Sequence, residues 1–194
     1  MAVAKIMLYH SILGLRPGIL EAAERLRGRG HEVRTPDLIG GSIFSAYQEA
    51  RAYLDSIGLP KVLAGAAEAA KAFGPGAVYM GFSLGAACAL GAAARNPGAK
   101  GCVAAAGVAT LAELRAAAWP AGVAAQLHFS IRDPGYDKVK SQKLRSEVEA
   151  AGSSFELFEY GAGGHLFADP GLSDYDRETA ALFWKNVDAF LDRL

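Results

Sequence analysis

A serine between two glycines is the strongest chemical signal in the sequence. Ser83 stands at the centre of Gly81-Phe82-Ser83-Leu84-Gly85, a G-x-S-x-G pattern between a predicted strand, Ala77–Met80, and a predicted Ala-rich helix, Leu84–Arg95. A sharp strand-to-helix turn holds such a serine in a strained conformation, and glycines two residues away keep the turn free of clashes. The spacing therefore predicts a nucleophilic serine. The alternative is a glycine-lined turn whose serine only caps the helix.

His165 is the candidate for the base that a serine nucleophile needs. It follows the last predicted strand, Phe155–Tyr160, on a glycine-rich loop that can carry it over the carboxyl edge of a sheet. The other three histidines are weaker candidates. We expect His31 to lie at the surface of the opposite edge and His128 to lie in the core. His10 ends the first strand, where it can line the site without being the base.

Asp133 is the candidate for the acid that orients the histidine. It directly follows the predicted strand Gln126–Phe129 and lies between the serine and the histidine in the chain. Serine, acid and histidine in this order are typical of α/β-hydrolases. Asp137 is the alternative acid, whereas Asp169 and Asp37 are more typical of loop or turn residues.

Two backbone N–H groups must stabilise the oxyanion that forms when a serine attacks an ester. We expect the first from Leu84, at the start of the helix, and the second from Ile12, in the loop after the first strand. For Ile12, an ordinary apolar loop residue is the alternative. The candidate pocket walls are apolar or aromatic residues, types that are also common in cores. They are Leu13, Phe44, Tyr47, Trp119, Tyr136 and Phe167.

Strands and helices that can position these residues alternate along nearly the whole chain. Short apolar runs predict strands at Ile6–Tyr9, His31–Thr35, Ala77–Met80, Gly101–Ala105, Gln126–Phe129 and Phe155–Tyr160. Helical patterns separate them, at Pro17–Gly28, Ser45–Phe73 with an interruption near Gly58, Leu84–Arg95, Lys138–Ala151 and Tyr175–Leu194. The alternation predicts a single α/β domain over residues 1–194, with a mostly parallel sheet and helices on both of its faces.

Composition excludes several classes of function. The chain has 194 residues, of which 52% are hydrophobic, and 20 Lys+Arg balance 20 Asp+Glu. This balance does not favour nucleic acid as a partner. Cys88 and Cys102 lie in apolar runs, so we expect buried thiols and neither a disulfide framework nor a metal or cofactor site. No run is long enough for a membrane span, and Met1–His10 does not resemble a signal peptide, so we expect a cytoplasmic protein, as a monomer or small homo-oligomer.

At these residues the sequence resembles the dienelactone hydrolase family, a compact branch of the α/β-hydrolases. The resemblance covers almost the whole chain and is carried by several segments: Tyr9–Leu15, His31–Leu38, Gly81–Ala86, Gln126–Pro134, Tyr160–Phe167 and Tyr175–Trp184. It implies an α/β-hydrolase fold without a cap domain. It also implies a triad of Ser83, Asp133 and His165, with oxyanion donors at Ile12 and Leu84.

Three departures from the family pattern bear on the substrate. The nucleophile is Ser83 where the founding enzymes carry a cysteine, and Ser11 stands where they place a glutamate that interacts with the thiol. These two changes agree, since a serine with a histidine base needs no such glutamate. Asp169 stands where they carry an arginine that holds the substrate carboxylate. A neutral ester is therefore a better expectation than dienelactone itself.

The sequence as a whole predicts a serine hydrolase of small carboxylic esters or lactones that works through an acyl-enzyme. A thioesterase on the same triad is one alternative, and a catalytically silent binding protein on the same fold is another. A nucleotide-binding fold is disfavoured, since no G-x-G-x-x-G follows the first strand. The short connections leave no room for a lid domain, so we expect an open site suited to small acyl groups.

Overall fold

A six-stranded parallel sheet forms the centre of the computed structural model, which describes residues 3–194. Its strands are β1 (Lys5–Tyr9), β2 (Glu32–Arg34), β3 (Ala77–Phe82), β4 (Gly101–Ala105), β5 (Ala124–Ser130) and β6 (Phe155–Tyr160). The strand order is β2-β1-β3-β4-β5-β6, and every neighbouring pair is parallel. Each predicted strand is present, and the ends agree within two residues. Met1 and Ala2, which our N-terminal expectations included, lie outside the described residues.

Seven helices connect and flank the strands within residues 3–194. They are α1 (Pro17–Gly28), α2 (Tyr47–Ile57), α3 (Leu59–Phe73), α4 (Leu84–Arg95), α5 (Leu111–Leu114), α6 (Lys138–Ala150) and α7 (Arg177–Leu191). The predicted interruption near Gly58 is confirmed, because this residue, at a φ of 84°, ends α2 and begins α3. The sequence prediction missed the short helix α5. A capping box of Thr110 and Glu113 starts it, and that T-x-x-E spacing was the available signal.

Helices cover both faces of the sheet, as predicted. Alternate residues of a strand point to opposite faces. Ile6 and Leu8 of β1 pack in one buried cluster with α1 and α7. Met7 and Tyr9 of the same strand pack in another, with α3, α4 and α6. The fold is therefore an α/β sandwich of helix, sheet and helix layers.

The small residues of α4 bring this helix close to the sheet. Nine of its twelve residues are buried, and most of them are alanine or glycine. Cys88 of α4 and Cys102 of β4 are both buried and free, which confirms the expectation of core thiols. Burial raises the pKa of the Cys88 thiol to about 12, and that of Cys102 also lies above its usual range. Both side chains therefore stay in the unreactive thiol form.

The strand order creates a crevice where a site can form. β1 has β2 on one side and β3 on the other, so the chain winds in opposite directions from this point. In open α/β sheets ligands bind at such a reversal, outside the carboxyl ends of the strands. The loops after β1 and β3 meet there. Between β4 and β5, residues 106–123 contain only α5, and the described part of the chain has no separate cap domain.

No helix among the described residues is long and apolar enough to cross a membrane.

His31 is buried, so the prediction of a surface histidine is wrong. Only 5% of the residue is exposed, and its Nδ1 accepts a hydrogen bond from the Ala4 N–H at 3.1 Å. Its position between a helix end and a strand led to the surface expectation. The backbone entering β1 covers the ring instead.

His128 lies in the core of the domain, as predicted. It is fully buried in β5, with Nδ1 2.9 Å from the Tyr160 hydroxyl and Nε2 3.1 Å from Oε1 of Gln126. The ring stacks on Phe158 at 5.0 Å. Burial lowers the pKa of His128 to about 3, which keeps the imidazole neutral.

The buried imidazole of His128 should make the protein sensitive to mild acid. Below about pH 6.5 the unfolded chain binds a proton at this residue and the folded chain does not, so protonation favours unfolding. The free energy of unfolding should then fall by roughly 2 to 3 kcal/mol between pH 7 and pH 4.5 through this group alone. Denaturant titrations of the wild type and His128→Gln at both pH values check this. Equal losses in the two proteins would contradict it.

Candidate active site

Ser83 lies on a strained turn between β3 and α4. Its φ of 56° and ψ of −113° are unusual for a residue with a side chain. The Ser83 N–H donates to the Ala105 carbonyl at 2.8 Å, and the Ser83 carbonyl accepts from the Ala86 N–H at 2.9 Å. These hydrogen bonds hold the turn in place. The hydroxyl therefore projects from the carboxyl edge of the sheet.

Both glycines of the motif are required by close backbone contacts. A Cβ on Gly81 would collide with the carbonyl of Gly85. A Cβ on Gly85 would collide with the carbonyls of Tyr9 and His10, at the end of β1. This confirms the reason that the sequence suggested for the glycines. The second contact also brings the loop after β1 against the first turn of α4.

The structure brings Ser83, His165 and Asp133 into one chain of hydrogen bonds. The His165 Nε2 lies 2.7 Å from the Ser83 Oγ, and its Nδ1 lies 2.7 Å from the Asp133 Oδ2. A carboxylate can only accept, so Nδ1 carries the proton and Nε2 is free to accept the serine O–H. The Asp133 side chain is 1% exposed, and the His165 side chain is 25% exposed. This arrangement can remove a proton from the serine hydroxyl.

The alternative acids are engaged elsewhere. Asp137 caps α6 by accepting the Lys140 N–H at 2.8 Å. Asp169 pairs with the Nε of Arg16 at 3.4 Å. Asp37 accepts backbone N–H groups within its own turn. Asp133, by contrast, uses Oδ1 to accept the Gly135 N–H at 2.7 Å, which orients Oδ2 toward the histidine.

Asp174 fixes the loop that carries the histidine. Its carboxylate accepts the Leu166 N–H at 3.1 Å and the hydroxyl of Tyr47 at 2.7 Å, and its carbonyl accepts the Gly164 N–H at 2.8 Å. The Tyr47 ring meets the His165 ring edge-on at 5.8 Å. Burial and the bond to Asp174 raise the pKa of Tyr47, so its hydroxyl remains a donor. The sequence prediction missed Asp174, because nothing in its local pattern marks this contact.

A buried histidine anchors the loop after β1. The His10 Nδ1 lies 2.6 Å from the Ser11 carbonyl, and its Nε2 accepts the Leu38 N–H at 3.0 Å. Burial lowers the pKa of His10, which keeps it neutral. Within residues 3–194 neither the Ile12 N–H nor the Leu84 N–H has a hydrogen-bond partner. Both are therefore free to donate to an oxygen of a bound substrate.

A hollow of about 330 Å³ opens beside Ser83. Apart from the serine, its walls are Ile12, Tyr47, Arg51, Leu54, Leu59 and Leu84. Among the predicted pocket residues, the structure brings only Tyr47 to this hollow. Arg51 and Leu54 were missed, although their spacing from Tyr47 puts all three on one face of a helix. We call this space the serine hollow.

The family model for the dienelactone hydrolase family matches residues 2–194, nearly the full length of the chain. The chain belongs to the dienelactone hydrolase family. It is accordingly a carboxylesterase-type hydrolase. Among curated proteins, no relative matches the chain.

Solved structures share the fold of this dienelactone hydrolase family member at low sequence identity. A dienelactone hydrolase-like promiscuous phosphotriesterase, P91 from metagenomic libraries, has a TM-score of 0.75 at 17% identity, over 98% of this chain and 86% of that one. Esterase PE8 has a TM-score of 0.63 at 20% identity, over 95% and 93%. A third structure belongs to the metagenome-derived lipolytic enzymes LipS and LipT. It has a TM-score of 0.70 at 15% identity, over 100% of this chain and 96% of that one.

Three predicted pocket residues of this dienelactone hydrolase family member belong to the core, so their prediction as walls is wrong. Leu13 is fully buried, and Phe167 is 1% exposed between the rings of Tyr160 and Phe183. Trp119 is 2% exposed and donates its indole N–H to a backbone carbonyl at 2.7 Å. Residues of this size and apolar character lie in cores more often than in pocket walls. Tertiary packing decided between the two.

Phe44 and Tyr136 are partly buried, but neither lines the serine hollow. Phe44 packs against the ring of Tyr53 at 5.3 Å. Tyr136 stacks on Phe129 at 4.7 Å and donates its hydroxyl to Glu159 at 2.8 Å. Phe44 also packs in the same apolar cluster as Leu54 and Leu84, which line the hollow. The assignment of Phe44 and Tyr136 as pocket walls stays a prediction.

The structure shows the contacts of Ser11 and Asp169, two residues at which this dienelactone hydrolase family member departs from the family pattern. Ser11 is buried and accepts the Leu13 N–H at 3.2 Å, so it shapes the loop after β1. Asp169 binds Arg16 and does not line the serine hollow. The positive charge that does reach the hollow is Arg51, on α2, an exposed side chain 3.7 Å from Asp55.

Proposed function

We propose that this chain is a serine hydrolase that cleaves neutral carboxylic esters or lactones through an acyl-enzyme. The observation that carries the proposal is the pair of 2.7 Å contacts that joins Asp133, His165 and Ser83 on a strained strand-to-helix turn. A structural serine would need neither the strain nor the buried carboxylate behind the imidazole. Both are what a nucleophile with a base and an orienting acid requires.

The first half of the reaction acylates the serine. The Ser83 Oγ forms a bond to the acyl carbon while the His165 Nε2 takes its proton. The electron pair of the carbonyl moves to oxygen, where the N–H groups of Ile12 and Leu84 stabilise the negative charge. When the carbonyl re-forms, the bond to the alcohol oxygen breaks and the imidazolium returns its proton to that oxygen. In a lactone the alcohol stays attached to the acyl chain.

The second half releases the acid. His165 takes a proton from a water molecule, whose oxygen bonds to the acyl carbon and produces a second oxyanion in the same place. Collapse of this intermediate breaks the bond to the Ser83 Oγ and returns the proton to it. Asp133 holds the imidazole in the tautomer that both halves need and stabilises its positive charge.

A fluorophosphonate probe together with an ester assay tests this function. We expect the probe to label the folded protein once per chain, on the peptide that contains Ser83, and to leave the urea-unfolded protein unlabelled. The same preparation should hydrolyse p-nitrophenyl acetate and butyrate, and labelling should abolish this activity. Ester turnover that persists in the fully labelled protein would contradict the proposal, as would an unlabelled protein without turnover.

A further inference from the structure

A large apolar groove runs along α4 on the side that faces α3. Its volume is about 650 Å³, roughly twice that of the serine hollow. The lining includes Leu63, Ala67, Ala87, Cys88, Gly91 and Leu114. We call it the α3–α4 groove. No step of the proposed reaction uses it.

The groove owes its depth to small residues at helical spacing. On α4 the lining recurs at Leu84, Ala87, Gly91 and Arg95, which all lie on one face of the helix. Alanine and glycine in the middle of this face leave space that larger side chains would fill. Since each helical residue rises 1.5 Å, Leu84 and Gly91 lie about 10 Å apart along the axis. This length suits an extended alkyl chain.

The groove shares part of its lining with the serine hollow. Leu59 and Leu84 line both the α3–α4 groove and the serine hollow, so the two spaces adjoin. Leu84 directly follows the nucleophile, and its N–H is one of the two expected oxyanion donors. The shared wall therefore places the groove next to the carbonyl carbon of an ester bound at Ser83.

We propose that the α3–α4 groove binds the acyl chain of the substrate, and that the enzyme prefers esters of medium-chain acids, about six to eight carbons long. This inference rests on the proposed function and adds the class of acyl group. The proposed acyl group is longer than the small one expected from the sequence, which was based on the lack of room for a lid. The length of the polypeptide did not reveal a groove between two helices.

The position of the histidine selects the acyl side of the ester. The leaving alcohol must lie near the His165 Nε2, which protonates it. His165 contacts the ring of Tyr47, which lies on α2. None of the described residues from 130 to 175, which carry Asp133 and the histidine, lines the α3–α4 groove. The part of the substrate that enters the groove is therefore the acyl chain.

The exposed leucines of α3 also favour an apolar occupant. Leu59 is 44% exposed and Leu63 is 40% exposed, and both face the groove. An alkyl chain would remove this surface from water. The charged residues of the lining are Arg95, Glu113 and Arg115. Arg95 donates to the carbonyls of Gly91 and Leu114, at the end of the groove away from Leu84. A chain that reaches this end would meet polar groups, which limits the preferred length.

A chain-length series with a groove-filling variant tests the proposal. Each methylene that leaves water for the groove should raise kcat/KM roughly fourfold at full burial. For p-nitrophenyl esters we expect a rise of about 30-fold or more from acetate to octanoate in the wild type, since an open groove buries each methylene only in part. Ala67→Trp should lower kcat/KM for octanoate about tenfold and leave the value for acetate unchanged.

Two further variants serve as a control and a second probe. Ala72→Trp makes the same change on the same helix at an exposed position outside the groove, and it should leave both esters unaffected. Leu63→Gln removes apolar lining without adding bulk and should again weaken octanoate alone. Circular dichroism of each variant shows that it is folded.

The outcomes separate this inference from the function on which it rests. Turnover that is equal for all chain lengths, or an Ala67→Trp variant that loses acetate and octanoate activity equally, would overturn the groove while the esterase stands. A protein that hydrolyses no ester and does not react with the fluorophosphonate would overturn both.

Discussion

Replacing Ser83 with alanine is expected to lower kcat for p-nitrophenyl butyrate by about 10⁴- to 10⁶-fold. The variant lacks the oxygen that forms the acyl-enzyme, while the free N–H groups of Ile12 and Leu84 remain to bind the carbonyl oxygen. Substrate binding should therefore change far less than turnover. Stopped-flow and steady-state assays with purified protein measure the two effects separately.

The strained turn at Ser83 should be equally stable with alanine in place of serine, so a loss of activity in this variant should not come with a loss of stability. The turn keeps its φ of 56° with either residue, held by the backbone hydrogen bonds to Ala105 and Ala86. Thermal unfolding should consequently occur within a few degrees of the wild type. If the folded variant keeps more than about a tenth of the wild-type turnover, another residue is the nucleophile.

Replacing Asp133 with asparagine is expected to lower kcat by about 10⁴-fold. The amide of asparagine can donate to Nδ1 of His165, which favours the tautomer that carries its proton on Nε2. That nitrogen then cannot accept the proton of Ser83. Steady-state assays of p-nitrophenyl butyrate hydrolysis measure the loss.

Asp137→Asn is the matched control for this change, because Asp137 was the alternative acid. It caps α6 through the Lys140 N–H, and asparagine caps helices about as well as aspartate does. We expect kcat within about twofold of the wild type. A large loss of kcat in Asp137→Asn together with normal kcat in Asp133→Asn would show that Asp137, and not Asp133, orients the histidine.

Local sequence patterns were enough to predict the sheet, the flanking helices and the turn at Ser83. Alternating apolar runs and helical periodicity locate the strands, and the glycines at 81 and 85 are fixed by contacts within the turn and with the end of β1. Loops after parallel strands meet at one edge of the sheet, which made Asp133 and His165 reasonable partners for the serine. Their hydrogen bonds follow from the topology.

The walls of the site could not be predicted in the same way. Whether a large apolar residue lines a pocket or lies in the core depends on the element that packs over it. The sequence around Trp119 or Phe167 does not indicate which element that is. Tyr47 is at the hollow because α2 folds back over the carboxyl edge, where Asp174 binds its hydroxyl. That contact joins residues 127 positions apart. The α3–α4 groove likewise depends on the packing of two helices against each other.

The parallel sheet also affects how fast the chain folds. β1 pairs with β3 across more than sixty intervening residues, and the hydroxyl of Ser83 finds its imidazole 82 positions further along. Contacts so distant in sequence form slowly, since each must close a long loop before it is stabilised. Helices can form early, but no fragment short of the sixth strand contains a serine, its base and its acid in contact. The return of ester hydrolysis in a refolding chain therefore reports that the sheet and the loops at its carboxyl edge are complete.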